Sequence, residues 1–345
     1  MRSSRIKAEG LGYYHCMSRV VDRRMILGDV EREKFRDLMR GAETFCGVRV
    51  VTYAILSNHF HILAEVPDRQ EVSEAEVVAR LAAIYDRKTV LGMLAQWELW
   101  RKQGREALVQ VELERLRARM YDVSEFLKTV KQRFSQWYNR RENRTGTLWE
   151  DRFKSVMIEP PSHAQRDRQS VGALATMAAY IDLNAVRAGI VSDPKDYRWC
   201  GYGEAVAGRK KAREGLAAIF RVENKERWRA VAARYRLMVY AAGTESGLTE
   251  CGAALRAGLS VEKVEQIVKE RGELPLQEVL RCRVRYFSDG VAIGSQAFVD
   301  EVFRKHRDNF GPKRTDGARP LRFAAWGGLC AARDLRLTPI AASGG

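Results

Sequence analysis

Runs of apolar residues in the first part of the chain predict a strand, a helix and two more strands. Residues 12–21 follow a glycine and are rich in β-branched and aromatic side chains, which is typical of a strand. Residues 30–45 carry apolar side chains at helical spacing behind Asp29, the expected N-cap. Residues 48–66 contain two apolar runs separated by a short polar break, which predicts two strands.

The pattern is helical and charged after this point. Residues 69–122 indicate a helical insertion, and residues 124–137 form the clearest helix, with Ser124 as its expected N-cap. Residues 147–158 predict a returning strand, and residues 169–187 a further helix. This order of elements predicts an α+β fold, a ferredoxin-like antiparallel sheet with helices on one face.

The composition changes after residue 205. Residues 1–205 are therefore expected to form the first domain and residues 206–345 a mainly α-helical C-terminal extension. Two short helices broken near residues 258–260 have a spacing similar to a helix-turn-helix, so the extension is a candidate for DNA binding. Glycines and prolines at the end of the chain predict a loose tail.

The charge of the chain narrows the class of partner. Its 345 residues hold 60 Lys and Arg against 44 Asp and Glu, a net charge of +16, while 46% of residues are hydrophobic. A folded protein with this charge is expected to bind a polyanionic partner, and nucleic acid is favoured over an anionic membrane surface. The alternative is a basic charge that serves only solubility. The six cysteines form no C-x-x-C pair, and no apolar run is long enough to span a membrane. We therefore expect a cytoplasmic protein.

Two of the five histidines stand two residues apart, at His59 and His61. On a strand, residues at this spacing project from the same face, so both imidazoles would point at one place. Two such rings can provide two ligands of a divalent ion and leave positions open for substrate oxygens. The alternative is a pair of ordinary core or exposed histidines.

Tyr180 and Asn184 stand one helical turn apart in the later predicted helix. A phenol and a carboxamide oxygen placed in this way can reach one metal site together. A tyrosine and an asparagine at this spacing also occur in ordinary amphipathic helices. The pair therefore indicates a metal site only in combination with the two histidines.

Residues 128–154 combine cations with aromatic side chains. The segment holds eight Lys and Arg against three acidic residues, a net charge of +5, interleaved with five aromatic residues. Cations beside aromatic rings suit a phosphate backbone that carries unstacked bases. For Phe134 and Trp137, which are at helical spacing, burial in a core is an equal alternative.

In this order the blocks HFH, NRRENRTGTLWEDRFKS and YIDLNAVRAGIV resemble the single-tyrosine HUH transposases, and most closely the branch called REP-associated tyrosine transposases. The opening YYHCMSRVVDRRMILGD and the block DYRWCGYGE are similar to the same family, so the resemblance covers about residues 5–205. Two departures are the long stretch between His61 and Ser124, and Ala185 where a proline commonly follows the asparagine.

The resemblance implies a metal-dependent single-stranded DNA endonuclease and strand transferase that cleaves beside DNA hairpins. It implies that Tyr180 is the nucleophile and forms a 5′-phosphotyrosine, and that His59, His61 and Asn184 hold Mg²⁺ or Mn²⁺. The expected partners are single-stranded and hairpin DNA near the nucleoid, with the protein acting as a monomer or a homodimer. The predicted DNA-binding residues are Arg19, Lys131, Arg140, Arg141, Arg144, Trp149, Arg152, Phe153, Lys154 and Arg187.

General chemistry agrees with these roles. A phenol with a pKa near 10 is a poor nucleophile at neutral pH, and a divalent ion on the phosphate oxygens would stabilise the charge that develops during attack. Tyr138 is the competing nucleophile, but Glu142 rather than an amide follows it one turn later. The alternative functions are a domesticated, non-catalytic DNA-binding regulator of palindromic repeats and an RNA-processing or other metal-dependent hydrolase.

Overall fold

The computed structural model describes residues 5–161, 172–221, 228–240, 280, 284, 286–322 and 326–333. Its strands are β1 (Gly12–Arg19), β2 (Arg49–Ile55), β3 (His59–Val66), β4 (Lys154–Ile158), β5 (Gly290–Gly294), β6 (Arg319–Pro320) and β7 (Cys330–Arg333). Its helices are α1 (Asp29–Cys46), α2 (Glu74–Leu81), α3 (Arg87–Lys102), α4 (Glu106–Arg117), α5 (Val123–Arg141), α6 (Ala173–Asp182), α7 (Asn184–Arg187), α8 (Gly201–Val206), α9 (Lys210–Ile219), α10 (Trp228–Tyr240), α11 (Tyr286–Asp289) and α12 (Gln296–Lys305).

The sheet has the strand order β2-β3-β1-β4-β5-β7-β6. Strand β1 lies between β3 and β4 and is antiparallel to both. Because α1 joins β1 to β2 and α5 precedes β4, the first four strands and these two helices form the predicted ferredoxin-like unit. The α+β fold class is confirmed.

Strand β3 shows why the sheet has two different faces. Phe60 and Ile62 point into a core shared with α1 and α5, while Leu63 points into a second core shared with α6 and α9. Alternation along the strand therefore places His59 and His61 on the α6 side. The face that carries the histidines is the one opposite α1 and α5.

The structure adds a second helical layer to the predicted one. Helices α6, α8 and α9 pack on β2 and β3, so helices cover both faces of the sheet rather than one. The physical reason is that the central strands are apolar on both sides: every residue of β3 after its first is buried. A sheet of this kind needs cover on both faces.

The C-terminal extension also contributes strands. Strand β5 pairs in parallel with β4 and antiparallel with β7, which pairs with β6. The mainly helical extension thus contributes strands to the same sheet, and β7 ends at Arg333; the rest of the predicted loose tail lies outside the described residues. The helix-turn-helix candidate near residues 258–260 lies outside the described residues.

Several predicted element ends move by a few residues. Asp122, not Ser124, caps α5, because its carboxylate accepts the backbone N–H groups of Ser124 and Glu125. Gly28 is the N-cap of α1, and Asp29 is its first residue. The insertion forms α2, α3 and α4, whose apolar faces join the core under α1. In the described part of the chain, no helix has the length and apolar character needed to cross a membrane.

Candidate active site

A cleft of about 850 Å³ opens on the α6 side of the sheet, where β1, β3 and β4 meet α6, α7 and α11. The cleft contains all four side chains that were predicted to carry the chemistry. Its lining residues are Met17, Ser18, Arg19, Arg23, Leu56, His59, His61, Glu150, Asp151, Arg152, Lys154, Tyr180, Asn184, Arg187, Ala188, Ser288 and Asp289.

His59 and His61 begin β3 and project from the same face, with ring centroids 5.2 Å apart. Arg19 lies directly across from His59 in the β1–β3 pairing, so a cation stands beside the pair. His59 is half-buried, while His61 is 6% exposed. The local pairing of strands, rather than loop structure, therefore fixes where the two imidazoles point.

A third histidine lies behind the pair, and the sequence reasoning did not find it. His15 on β1 is fully buried, and its Nε2 is 2.9 Å from the Nδ1 atom of His61. Its own Nδ1 is 2.9 Å from the backbone carbonyl oxygen of Phe287. Burial lowers the pKa of His15 to about 4, and burial together with the neighbouring His15 lowers the pKa of His61 well below its usual value. Both rings are therefore neutral at pH 7.

His59 is oriented by its neighbour in sequence. Its Nδ1 is 2.6 Å from the side-chain oxygen of Asn58, whose amide nitrogen donates to the carbonyl of Arg23. Because that oxygen can only accept, Nδ1 carries a proton, and in the neutral form of the ring the lone pair is on Nε2. The orientation that metal binding needs is thus present at His59.

Tyr180 and Asn184 lie on either side of a helix break. Helix α6 ends at Asp182 and α7 starts at Asn184, with Leu183 at φ −77° and ψ 0°. The Asn184 amide nitrogen donates to the carbonyl of Ile181 at 3.0 Å, so its oxygen is the group left to accept or to coordinate. The predicted single helix over this segment is therefore two helices, and both residues still face the cleft.

Asp182 holds this break against the sheet. Its carboxylate accepts from the Thr52 hydroxyl at 2.8 Å, from the backbone N–H of Tyr202 at 3.1 Å and from the Tyr235 hydroxyl. Burial raises the pKa of the Asp182 carboxyl to about 6. Residues from β2, α8 and α10 thus anchor the turn between Tyr180 and Asn184.

Tyr180 is 3% exposed and is enclosed by two other side chains. The Arg187 guanidinium lies 3.9 Å from the centre of its ring and also donates to the Tyr180 carbonyl. The Phe287 ring meets the Tyr180 ring edge-on, with centroids 4.6 Å apart. The Tyr180 and His61 rings are 6.4 Å apart. Tyr180 and His61 are therefore neighbours, and Phe287 of the C-terminal extension contacts Tyr180.

The side chains at the cleft have the chemistry of a divalent metal site. Imidazole nitrogens and a carboxamide oxygen suit Mn²⁺ or Mg²⁺, with further positions for phosphate oxygens or water. Within the ranges that the structure describes, no group of three or more His, Cys, Asp or Glu side chains could hold a metal. The predicted ligands, His59, His61 and Asn184, all line the cleft.

The predicted DNA-binding cations fall into three groups. Arg19, Arg152, Lys154 and Arg187 line the cleft, although Lys154 also pairs with Asp289 at 3.5 Å. Lys131 lines a second groove, which lies along α5. A third group lines neither cavity and consists of Arg140, Arg141 and Arg144.

The second groove, of about 540 Å³, lies along α5 and shares Arg152 with the cleft. Lys131 donates to the Asp151 carbonyl at 2.9 Å, and burial lowers the pKa of its ammonium to about 8. The Arg5 guanidinium lies 3.5 Å from the centre of the Phe153 ring, at the floor of this groove. A groove lined by several cations thus lies along α5, and Arg152 is common to this groove and the cleft.

Trp149 and Phe153 are not the exposed stacking platforms that the sequence suggested. Each is only 8% exposed. The Trp149 ring packs against Phe60 and Phe134 at centroid distances of 5.5 and 5.9 Å, within the core under α1 and α5. The aromatic residues of this segment hold the return to β4 against the sheet, while Trp149 and Phe153 also line the groove along α5, so a contact with bases stays a prediction.

Tyr138 lies on the opposite side of the sheet from the histidine pair. It is 8% exposed on α5 and stacks on Phe134 in the first core. Tyr180, by contrast, lines the cleft that contains His59 and His61. Of the two candidate nucleophiles, only Tyr180 is brought together with the predicted metal ligands.

Residues 10–90 match the family described as transposase IS200 like. The curated proteins contain no match to the chain. A solved structure of a REP-associated tyrosine transposase bound to a REP hairpin is similar to it, with 14% sequence identity and a TM-score of 0.36, over 60% of this chain and 86% of that chain. The matched residues 10–90 include β1, β3 and both histidines of the cleft.

Proposed function

We propose that the chain is a metal-dependent single-stranded DNA endonuclease and strand transferase, and the match of residues 10–90 to the family described as transposase IS200 like supports this proposal. In this proposal Tyr180 is the nucleophile, and His59, His61 and Asn184 are the metal ligands. DNA hairpins with an adjoining single strand are the substrate class, as in the REP-associated branch that the sequence resembles.

One observation carries the proposal: four side chains from two distant parts of the sequence meet in one cationic cleft. His59 and His61 come from β3, and Tyr180 and Asn184 come from the break between α6 and α7. A surface that only binds DNA does not need a phenol enclosed beside two imidazoles. The arrangement therefore favours chemistry on a phosphate over binding alone.

The reaction is an exchange of one phosphodiester for another. The Tyr180 phenolic oxygen attacks the scissile phosphorus, a bond forms between them, and the bond from phosphorus to the 3′ oxygen breaks. The phenol loses its proton, and the departing 3′ oxygen takes one up as a hydroxyl. When bound, the divalent ion supplies charge stabilisation at the non-bridging phosphate oxygens. A 3′ hydroxyl can reverse the step and join strands, since the phosphotyrosine conserves the bond energy.

In this proposal the cations of the cleft bind the DNA backbone and take no part in the chemical step. Arg19, Arg152 and Arg187 lie around the rim and can neutralise phosphates on either side of the scissile one. The groove along α5, which holds Lys131, continues this path away from Tyr180. We propose that it receives the duplex part of a hairpin while the single strand enters the cleft.

Covalent capture tests the proposal. Hairpin oligonucleotides of varied sequence, each with a single-stranded extension, are incubated with the protein and Mn²⁺ or Mg²⁺, and adducts are resolved by denaturing electrophoresis. We expect a protein–DNA adduct that disappears with chelator and in Tyr180→Phe. Tyr138→Phe is the matched control and retains the adduct, because Tyr138 lies in the core behind the sheet.

The outcomes separate the competing functions. Hairpin binding that needs no metal and gives no adduct would favour a non-catalytic regulator. Cleaved product without a covalent intermediate would favour a hydrolase. An adduct that persists in Tyr180→Phe would refute the assignment of the nucleophile.

A further inference from the structure

We infer that His15 is a positioning residue for the metal site: it links the backbone carbonyl of Phe287 to His61 and so fixes the ring nitrogen that His61 presents to the cleft. The inference rests on the proposed function in one respect: it takes the group that His61 binds to be a metal ion. It gives the C-terminal extension, which had no predicted role at the site, a part in the metal centre.

The direction of the hydrogen bonds carries the inference. The Phe287 carbonyl can only accept, so His15 Nδ1, 2.9 Å away, carries its proton. His15 Nε2 then carries a lone pair and accepts from His61 Nδ1, also at 2.9 Å. His61 is left with its lone pair on Nε2, the form in which imidazole binds a metal.

Burial makes this proton arrangement the favoured one. His15 is fully buried and His61 is 6% exposed, and charged rings are disfavoured there. If both rings are neutral, the opposite tautomer of His61 would set two lone pairs against each other at 2.9 Å. The two rings are nearly coplanar, with planes 18° apart and centroids 5.1 Å apart, as expected for a hydrogen bond between their facing edges.

The two metal-ligand candidates are therefore oriented in different ways. Asn58, the adjacent residue, orients His59, whereas His61 depends on a carbonyl from a segment far along the chain. The same segment contacts the rest of the site: the Phe287 ring lies against Tyr180, and the Leu280 carbonyl accepts from Arg187. Docking of this segment and correct presentation of His61 are thus coupled.

Nitrogen-15 NMR of the imidazole rings tests the inference directly. The spectrum of the wild-type protein without metal or DNA distinguishes protonated from lone-pair nitrogens, and single substitutions assign the five histidines. We expect His61 with its proton on Nδ1 and its lone pair on Nε2. His61 with its proton on Nε2 would overturn the inference, whether or not any variant folds.

Metal affinity supplies the second measurement. The dissociation constant of Mn²⁺ is measured by titration calorimetry or electron paramagnetic resonance in His15→Phe and His15→Gln. Loss of a hydrogen bond behind a metal-binding histidine typically weakens binding by about 10–100-fold, and we expect this for His15→Phe. His15→Gln, whose amide oxygen can accept from His61, should recover most of the loss. Asn58→Ala is the matched control and should leave the His61 signals unchanged.

The results also separate this inference from the proposed function. If wild-type protein shows the expected His61 tautomer but neither binds Mn²⁺ nor forms an adduct with DNA, the proposed function fails and the positioning role stands. If His15→Phe, folded by circular dichroism, keeps both the tautomer and the wild-type Mn²⁺ affinity, the positioning role is wrong even where the enzyme is active.

Discussion

Asp182 provides a stringent test of how the site helices are anchored. This carboxylate is fully buried and accepts hydrogen bonds from Thr52, Tyr202 and Tyr235. Burial raises its pKa from 3.8 to about 6 in spite of those bonds. Such a rise corresponds to about 3 kcal/mol of differential stabilisation between the two protonation states.

The sign of the pH dependence follows from this rise. Between the unfolded pKa of 3.8 and the folded pKa of about 6, the folded chain holds a proton that the unfolded chain has lost. The contribution of Asp182 to the free energy of unfolding therefore falls as the pH rises through this window, and it is restored as the pH drops. Above about pH 6 the full cost of the buried charge is present.

Asp182→Asn removes this titration and keeps the shape of the side chain. We expect the free energy of unfolding of the variant, relative to wild type, to increase by about 2 kcal/mol between about pH 4.5 and about pH 7.5, measured by urea denaturation. Comparing the two proteins at each pH cancels the contributions of other groups, including His15. A difference that stays constant across this range would refute the raised pKa.

Tyr235→Phe is the companion perturbation. It removes one donor to the carboxylate and leaves the ring in place, so it should destabilise the protein by about 1.5–3 kcal/mol at about pH 7.5, where the acceptor is charged. The loss should shrink at about pH 4.5, because a protonated carboxyl is a weaker acceptor. An equal loss at both pH values would mean that Asp182 does not titrate in this range.

Three further predictions concern the DNA-binding groove and the core beneath it. Because burial lowers the pKa of Lys131 to about 8, hairpin affinity should fall between about pH 7 and about pH 9, and Lys131→Arg should abolish this fall in fluorescence anisotropy titrations. Arg152→Gln should reduce the slope of log affinity against log salt by about 1, whereas Arg141→Gln, at a residue paired with Glu31, should leave it unchanged. Trp149→Ala should lower the free energy of unfolding by about 3–5 kcal/mol, measured by urea denaturation, because the ring is a core side chain.

The parts of the site that sequence could predict depend on short spacings. His59 and His61 share a face because successive strand residues alternate, and Tyr180 and Asn184 are one helical turn apart. Both relations survive in the structure, even though the predicted helix breaks at Leu183. The ferredoxin-like order of the first elements was accessible for the same reason, since each element has its own local pattern.

The parts that sequence could not predict depend on distant pairing. His15 is 46 residues from His61, and it meets that ring only because β1 and β3 are neighbours in the sheet. Phe287 is 272 residues from His15, and nothing in its local pattern distinguishes it from any other core aromatic residue. The strands of the extension were missed because β5 and β7 are short and are stabilised by joining an existing sheet.

The positions of the cations show which part of the net positive charge is placed to contact DNA. Within residues 128–154, Lys128 pairs with Glu125 and Arg141 with Glu31, so part of the local excess of +5 is compensated by acidic residues outside the segment. Lys131 and Arg152, by contrast, line the groove along α5, and Arg152 also lines the cleft that contains Tyr180. Because salt screening limits the range over which exposed charges act, these few cations contribute more to DNA binding than the net charge of the whole chain does. The affinity of the site for DNA should therefore follow substitutions at the cavity cations and respond little to equal changes of charge elsewhere on the surface.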